Sequence, residues 1–367
     1  MSTSEENGVD PRLDRLRQRL DALDEQLLTL AQERLTLARQ VGEIKRSQGL
    51  PTIDYSRERQ VLDRAANLAE EIGLEGGLGE DLMARLIRAA VTAQEGDSLH
   101  FAATGAGERA VVLGGAGRMG QWMSRFLEAQ GFAVAVLDPA ASEEENQRAH
   151  ESLPTASLVL CSTPPGRTAS WYHQWCEAPL QGVVADLASI KTPLLGPIRE
   201  LQRAGGRVAS FHPMFGPATL LLRDADVLVC DTGDSEATAA VEALFEPTTA
   251  HLVRLPLADH DRIMADLLSL AHATAIAFAL ALPESEHPVR STSFSALEGL
   301  AAAVVRESPD VYFEIQANNP HSLAAVERLR AAVEQLISVV RARSPADFEA
   351  LLEQGARRTN GPARVSP

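Results

Sequence analysis

Positive charge is in short supply in this chain: 34 Lys and Arg stand against 50 Asp and Glu, a formal net charge of −16. Such an acidic surface has no general attraction for phosphate backbones or anionic lipid, so nucleic acids and membranes are excluded as broad partner classes. A small acidic substrate is not excluded, because it needs only a local basic pocket. Cysteine is scarce too. Cys161, Cys176 and Cys230 form neither a CxxC pair nor an even framework, and a reduced, cytoplasmic setting is expected. No clustered ligands point to a metal. Aromatic residues make up 4% of the 367 residues while Ala and Leu abound, which predicts aliphatic, largely helical cores. No apolar run approaches the ~20 residues needed to span a bilayer. The richest, 267–282, contains His272 and ends at Pro283, as a buried core helix would. The opening MSTSEENGVD lacks the basic start and apolar stretch of a secretory signal.

What is present divides the chain into segments. Leu13, Leu16, Leu20, Leu23, Leu27 and Leu30 recur at alternating spacings of three and four, continuing through Leu37, Val41 and Ile44. This is the seam of one long helix, about 10–47, and such a stripe needs a partner chain or hairpin to cover it. Gly49 and Pro51 break it, and further helices are predicted at about 56–72 and 79–94 around a Gly-rich turn. Residues 10–96 therefore form an all-helical domain, and 97–108, small and aperiodic, read as a linker. From Arg109 short apolar runs alternate with helices: 110–113, 133–137, 158–161, 183–186, 208–211 and 227–230. That alternation predicts a parallel α/β domain over 109–255. Residues 256–355 read as a second all-helical domain and 356–367 as a flexible tail.

Val111-Val112-Leu113 runs straight into Gly114-Gly115-Ala116-Gly117-Arg118-Met119-Gly120 and then a helix. Gly115, Gly117 and Gly120 fit GxGxxG. The first permits the tight turn, the second lets backbone approach a pyrophosphate, and the third allows close helix–strand packing. Arg118 and Met119 open the helix, whose free N–H groups and dipole favour phosphate. The next strand ends in Asp138, where a carboxylate takes the ribose hydroxyls. Pro139, Ala140 and Ala141 follow without a basic residue, which favours NAD over NADP.

Two polar motifs follow at predicted strand ends, Asp186-Leu187-Ala188-Ser189-Ile190-Lys191 and His212-Pro213-Met214-Phe215-Gly216-Pro217. Both are placed for the crevice outside the carboxyl ends of an open sheet. With the glycine unit upstream, 109–350 resembles the prephenate dehydrogenase family, of Rossmann type with an all-α C-terminal dimerisation domain. The resemblance implies oxidation of prephenate to 4-hydroxyphenylpyruvate with loss of CO2. His212 would take the ring-hydroxyl proton, Ser189 would position that hydroxyl and the imidazole, and Lys191 and His272 would lie near the substrate. One position departs from the family: where it carries a carboxylate-gripping Arg six residues before a helix-starting Pro, this chain has Ala303 before Pro309. Alanine cannot supply that bidentate contact.

On the N-terminal helices, Arg17, Arg34, Lys45, Asp54, Arg57, Glu58 and Gln94 read by themselves as solvated helical polarity. Their layout (a long first helix, GxxK, then DxxRER) resembles the all-helical chorismate mutase family. By that resemblance Arg17, Arg34 and Arg57 would hold the two carboxylates of chorismate, with Arg17 crossing from the partner chain of a homodimer. Lys45 and Gln94 would donate to the ether oxygen, and Glu58, with Asp54 nearby, would take the ring hydroxyl. Ala90 stands where that family has Ser. The mutase product is the dehydrogenase substrate, so the whole chain resembles the bifunctional family of tyrosine biosynthesis, with tyrosine as a further ligand. Two alternatives stand beside this: a dehydrogenase for an amino-substituted analogue (arogenate or 4-amino-4-deoxyprephenate), and a non-catalytic NAD- or tyrosine-binding regulatory half.

Overall fold

The computed structural model describes residues 10–74, 77–219, 222–223, 225–283, 289–306 and 309–359. Helix α1 (Pro11–Ser47) is started by the Asp10 carboxylate, which accepts from Arg12 N, with Pro11 in the first turn. Helices α2 (Tyr55–Glu71) and α3 (Leu78–Ala102) pack against it and each other. Leu16, Leu20, Leu27 and Leu30 of the seam stay exposed, so within one chain α1 leaves most of its stripe uncovered.

The expected linker is different in the structure. Helix α3 runs eight residues beyond Gln94, to Ala102, and ends only where Ala103 turns left-handed at φ 45°. The cause is tertiary. Glu95 and Ser98 are buried, and Leu99 enters the core of the next domain beside Phe126 and Phe132. Thr104 and Gly105 then tie to Gln130. The helical domain is joined to the α/β domain by a shared helix.

Among the described residues seven strands follow: β1 (Arg109–Leu113), β2 (Ala133–Leu137), β3 (Leu158–Cys161), β4 (Val183–Asp186), β5 (Arg207–Pro213), β6 (Asp226–Asp231) and β7 (His251–Pro256). Their order is β2-β1-β3-β4-β5-β6-β7, parallel except for the antiparallel β5–β6 pair. This corrects the all-parallel expectation and adds β7. Among the described residues between Pro213 and Asp226 no crossover helix is present, and β6 starts where β5 ends and runs back. Helices α4 (Arg118–Ala129), α5 (Glu143–Ser152), α6 (Pro165–Trp175), α7 (Leu195–Arg203) and α8 (Ser235–Phe245) cover the sheet, with separate apolar cores on its two faces.

Beyond β7 the chain is helical: α9 (His260–Met264), a widened π turn (Ala265–Leu270), α10 (Ala271–Ala281), α11 (Thr292–Val305), α12 (Pro309–Ala317), α13 (Ser322–Ala342) and α14 (Pro345–Thr359). The continuous stretch Leu257–Ala281 is 25 residues and long and apolar enough to cross a membrane, longer than the run read from sequence. Its start packs Met264 and Leu268 against Leu228, Cys230 and Leu255 of the sheet, but only 22% of the apolar window is buried, so within one chain the expected buried core helix is mostly uncovered. Helix α14 extends through 356–359, part of the expected tail; residues 360–367 lie outside the described residues.

Candidate functional site

The glycine loop is built for close approach. Gly114 is left-handed at φ +75°, and a Cβ there would meet Ser162 O at 2.3 Å. A Cβ on Gly115 would strike Val136 at 2.5 Å, and one on Gly120 would lie 2.1 Å from Gly114 O. The tight turn therefore needs Gly114, Gly115 and Gly120 together. Gly114 went unassigned in the GxGxxG reading, although the Gly114-Gly115 pair marks it. Gly117 N-caps α4 without a side chain, leaving the first-turn N–H groups of Arg118 and Met119 at the helix mouth. Asp138 caps β2, its carboxylate accepting from Ala116 N at 3.2 Å and Ala140 N at 2.8 Å. It is tied to the glycine loop from the side. This cradle fits a dinucleotide: backbone amides for the pyrophosphate and a fixed carboxylate for ribose hydroxyls.

At the carboxyl ends of β4 and β5, the loop after Asp186 curls back on itself. Lys191 is fully buried, its ammonium donating to Asp186 Oδ1 at 2.5 Å and Phe211 O at 2.8 Å. Lys191 therefore does not face a ligand as expected. A buried cation requires partners, and both lie inside the protein. Its task is to clamp the Ser189 loop to β5, one residue from His212. Ser189 sits half-buried at the bend of that loop.

His212 is itself buried. Its Nδ1 lies 3.1 Å from His260 Nε2, and His260 Nδ1 lies 2.7 Å from Asp261 Oδ1. Asp261 also accepts from Lys191 N at 2.8 Å and Thr192 N at 2.7 Å, while Asn319 donates to its backbone carbonyl. Burial pushes the Asp261 carboxyl up, but bonds from His260, Thr192 and Lys191 outweigh it and hold it at about 2. Burial, aided by His260 and Lys191, holds His212 well below the usual imidazole range, and burial lowers His260 as well. His212 is thus a neutral imidazole at neutral pH. His260 and Asp261 went unread in the sequence, although a polar His-Asp-Arg triplet opening an apolar helix was the available signal.

His272, on α10, packs edge-on to Tyr312 at 4.6 Å, and its Nδ1 is buried without a hydrogen-bond partner. Burial lowers its pKa. Ala303 is exposed on α11. Of the nearby arginines, Arg290 pairs with Glu298 at 3.1 Å and Arg306 ends α11.

The second cluster lies on the N-terminal helices. Gln94 is buried where α3 meets α1, its amide donating to Ala38 O at 2.5 Å and its side chain pressed against Gly42. Arg34 donates to Leu86 O and Lys45 to Thr52 O, both at 3.1 Å. Asp54 caps α2 by accepting from Arg57 N at 2.9 Å, while the Arg57 guanidinium reaches Gln60. Arg34 and Gln94 share the α1–α3 junction, while Lys45 is held at the turn between α1 and α2. Arg17 does not join them: it is exposed, loosely paired with Asp14, and about 25 Å along α1 from Arg34. Glu58 is engaged elsewhere as well, in a two-pronged ion pair with Arg223 of the α/β domain at 2.9 and 2.6 Å. Beside it, the buried Glu95 carboxylate accepts from Leu222 N, Thr249 N and Thr249 Oγ1. These cross-domain contacts were not legible from local spacing. A cavity of about 930 Å³ opens between Glu58, Arg85 and Arg88 on the helices and Ala218 and Arg223 on the β5–β6 loop.

Residues 16–95 match the family model described as chorismate mutase type II. Over 328 residues the chain is 29% identical to the T-protein of Enterobacter agglomerans, covering 86% of this chain and 81% of that protein. It is 26% identical over 308 residues to the T-protein of Haemophilus influenzae, covering 82% and 79%. It is also 29% identical over 268 residues to a 4-amino-4-deoxyprephenate dehydrogenase of Streptomyces pristinaespiralis, covering 67% and 89%. In fold, 69% of the chain superposes on 97% of a prephenate dehydrogenase from A. aeolicus crystallised with hydroxyphenyl propionate and NAD+, at a TM-score of 0.54 and 17% identity. The same share superposes on all of Synechocystis arogenate dehydrogenase, at a TM-score of 0.53 and 19% identity.

Proposed function

We infer that this chain, which belongs to the bifunctional chorismate mutase/prephenate dehydrogenase family, rearranges chorismate to prephenate and oxidatively decarboxylates prephenate to 4-hydroxyphenylpyruvate. The single observation that carries the dehydrogenase half is a neutral, buried His212 near the end of β5, three strands along the same sheet from a glycine cradle shaped for a dinucleotide.

The rearrangement needs no nucleophile, only a rigid cationic pocket where negative charge builds on the ether oxygen. Lys45 and the wedged Gln94 are the donors for that oxygen, Arg34 and Arg57 hold carboxylates, and Glu58, its carboxylate oriented by Arg223, takes the ring hydroxyl on a remaining lone pair beside Asp54. Arg17, too far along α1 to serve its own chain's site, serves a partner's. The exposed leucine seam of α1 supports the same homodimer.

The cofactor of this reading is NAD, held by Gly115, Gly117 and Gly120, by the Arg118 and Met119 amides, and by Asp138, whose carboxylate disfavours a ribose phosphate. When bound, the nicotinamide supplies the hydride acceptor. His212 takes the ring-hydroxyl proton as hydride leaves the ring carbon. It returns that proton to the phenol oxygen once CO2 has gone, so prephenate and NAD+ balance 4-hydroxyphenylpyruvate, CO2 and NADH. Ser189 orients the hydroxyl, and His272 lines the substrate side. Tyrosine, which shares the product's phenol, is the expected inhibitor. The unpaired thiols of Cys161, Cys176 and Cys230 support a cytoplasmic setting.

A second reading rests on Ala303: without an arginine there, the dehydrogenase takes arogenate or 4-amino-4-deoxyprephenate, whose added ammonium changes what must be gripped. NADH formation from the three substrates in parallel decides. Prephenate turned over with a kcat/KM equal to or above the analogues supports the first reading, and a preference of tenfold or more for an amino analogue supports the second.

A further inference from the structure

His212 could present either ring nitrogen to a substrate, and a base is useful only if the presented nitrogen carries a lone pair. The surrounding contacts decide which one does. Asp261 receives two backbone N–H groups, from Lys191 and Thr192, and is ionised, so toward His260 it can only accept. His260 Nδ1 must therefore carry the proton in the 2.7 Å contact. Being neutral and buried, His260 then has only a lone pair on Nε2. That lone pair faces His212 Nδ1 at 3.1 Å, and two lone pairs cannot meet at this distance. His212 Nδ1 must be the donor, which leaves Nε2 free to accept.

We propose that Asp261 and His260 are positioning residues that act in series to lock His212 in its Nδ1–H tautomer, making Nε2 the proton-accepting atom of the dehydrogenase. This rests on the reading of His212 as the base and adds what that reading lacks, the atom and the device that selects it. The device is anchored outside the substrate space. Asp261 is pinned by the amides of the Lys191 loop and by Asn319, and Lys191 by Asp186. The charged and titratable groups acting on His212 are His260, Asp261 and Lys191, with Asp186 acting on His260. The carboxylate is reached through an intervening imidazole, so its charge lies two rings from the reacting proton and orients more than it activates. This follows the logic by which a carboxylate fixes a catalytic histidine's tautomer.

The test pairs a spectroscopic readout with variants chosen by hydrogen-bonding capacity. In the full-length protein labelled with 15N-histidine, His212 should show a protonated Nδ1 and an unprotonated Nε2 at neutral pH, assigned by the signals lost in His212→Asn. The reverse pattern overturns the proposal. In His260→Gln an amide oxygen can still accept from His212 Nδ1; in His260→Leu nothing can. NADH formation from prephenate should fall about 10²-fold in kcat for the leucine variant, at the lower end of what a positioned acid or base supplies. At least tenfold should return with glutamine, with KM for NAD unchanged in both. Equal rates in the two variants also overturn it, since a space-filling role would not distinguish acceptor from hydrocarbon. If the wild-type protein forms no NADH from prephenate or the amino analogues, the functional reading has failed, and the tautomer remains decided by the nitrogen spectra.

Discussion

Replacing Gly42 with alanine isolates the demand that the N-terminal site places on one buried amide. The added Cβ would lie 2.7 Å from Gln94 Cγ, 3.0 Å from Cδ and 3.3 Å from Nε2. To regain ordinary contact near 3.4 Å, Cγ must retreat by about 0.7 Å. Gln94 has little room to do so, being 6% exposed and bonded to Ala38 O. Overpacking of this kind costs ~1–3 kcal/mol. Alanine in place of glycine within a helix returns ~1 kcal/mol, so net stability should change by no more than about 2 kcal/mol. Catalysis has no such offset. A donor displaced by this much from the chorismate ether oxygen should lose about 10–100-fold in mutase kcat/KM, by the sensitivity of rate to sub-ångström placement. The assay follows chorismate absorbance for the mutase and NADH from supplied prephenate for the dehydrogenase, with a urea midpoint for stability. A folded Gly42→Ala protein with mutase activity within threefold of wild type would refute the placement of Gln94 at the reacting oxygen.

Two further outcomes follow from the buried charges. Lys191→Met removes the cation from Asp186, whose Oδ2 already lacks a partner, and should destabilise by about 3–5 kcal/mol; the double change with Asp186→Leu should recover most of this in urea unfolding. On acidification, His212 and His260 resist protonation when folded but accept protons near 6.5 when unfolded. Their neutral burial therefore costs nothing above the unfolded value and destabilises as pH falls below it, by up to about 1.4 kcal/mol per pH unit for each. A urea midpoint that is flat or rising from pH 6.5 to 5 would contradict this.

Legibility in the sequence followed the range of the interactions. The dinucleotide unit was readable because its strand, glycines, helix and Asp138 lie within thirty residues and each answers a local steric demand. The strand ends at Asp186 and His212 were readable for the same reason. The partners of those residues were not. His260 comes 48 residues after His212 and meets it only because the helix after β7 folds back over the sheet, packing Met264 against Leu228 and Leu255. Lys191 sits in a polar motif that looks solvent-facing, and only its ion pair with Asp186 shows that it turns inward. Residues 97–102 looked like a linker because Asp97, Ser98 and His100 interrupt the apolar pattern, whereas Leu99 and the Glu95 contacts, which keep the helix going, are tertiary. On the N-terminal helices the charge spacing marked Arg34, Lys45 and Gln94 as candidates but gave no sign of the tie of Glu58 to Arg223, a residue 165 positions away.

One chain is expected to carry out two consecutive steps on one carbon skeleton. Purified full-length protein supplied with chorismate and NAD, and no prephenate, should consume chorismate and then form NADH and 4-hydroxyphenylpyruvate in equal amounts. In His212→Asn, chorismate should still disappear while NADH formation stops and prephenate accumulates. Chorismate left unconsumed, or NADH formation that persists in His212→Asn, would contradict the account.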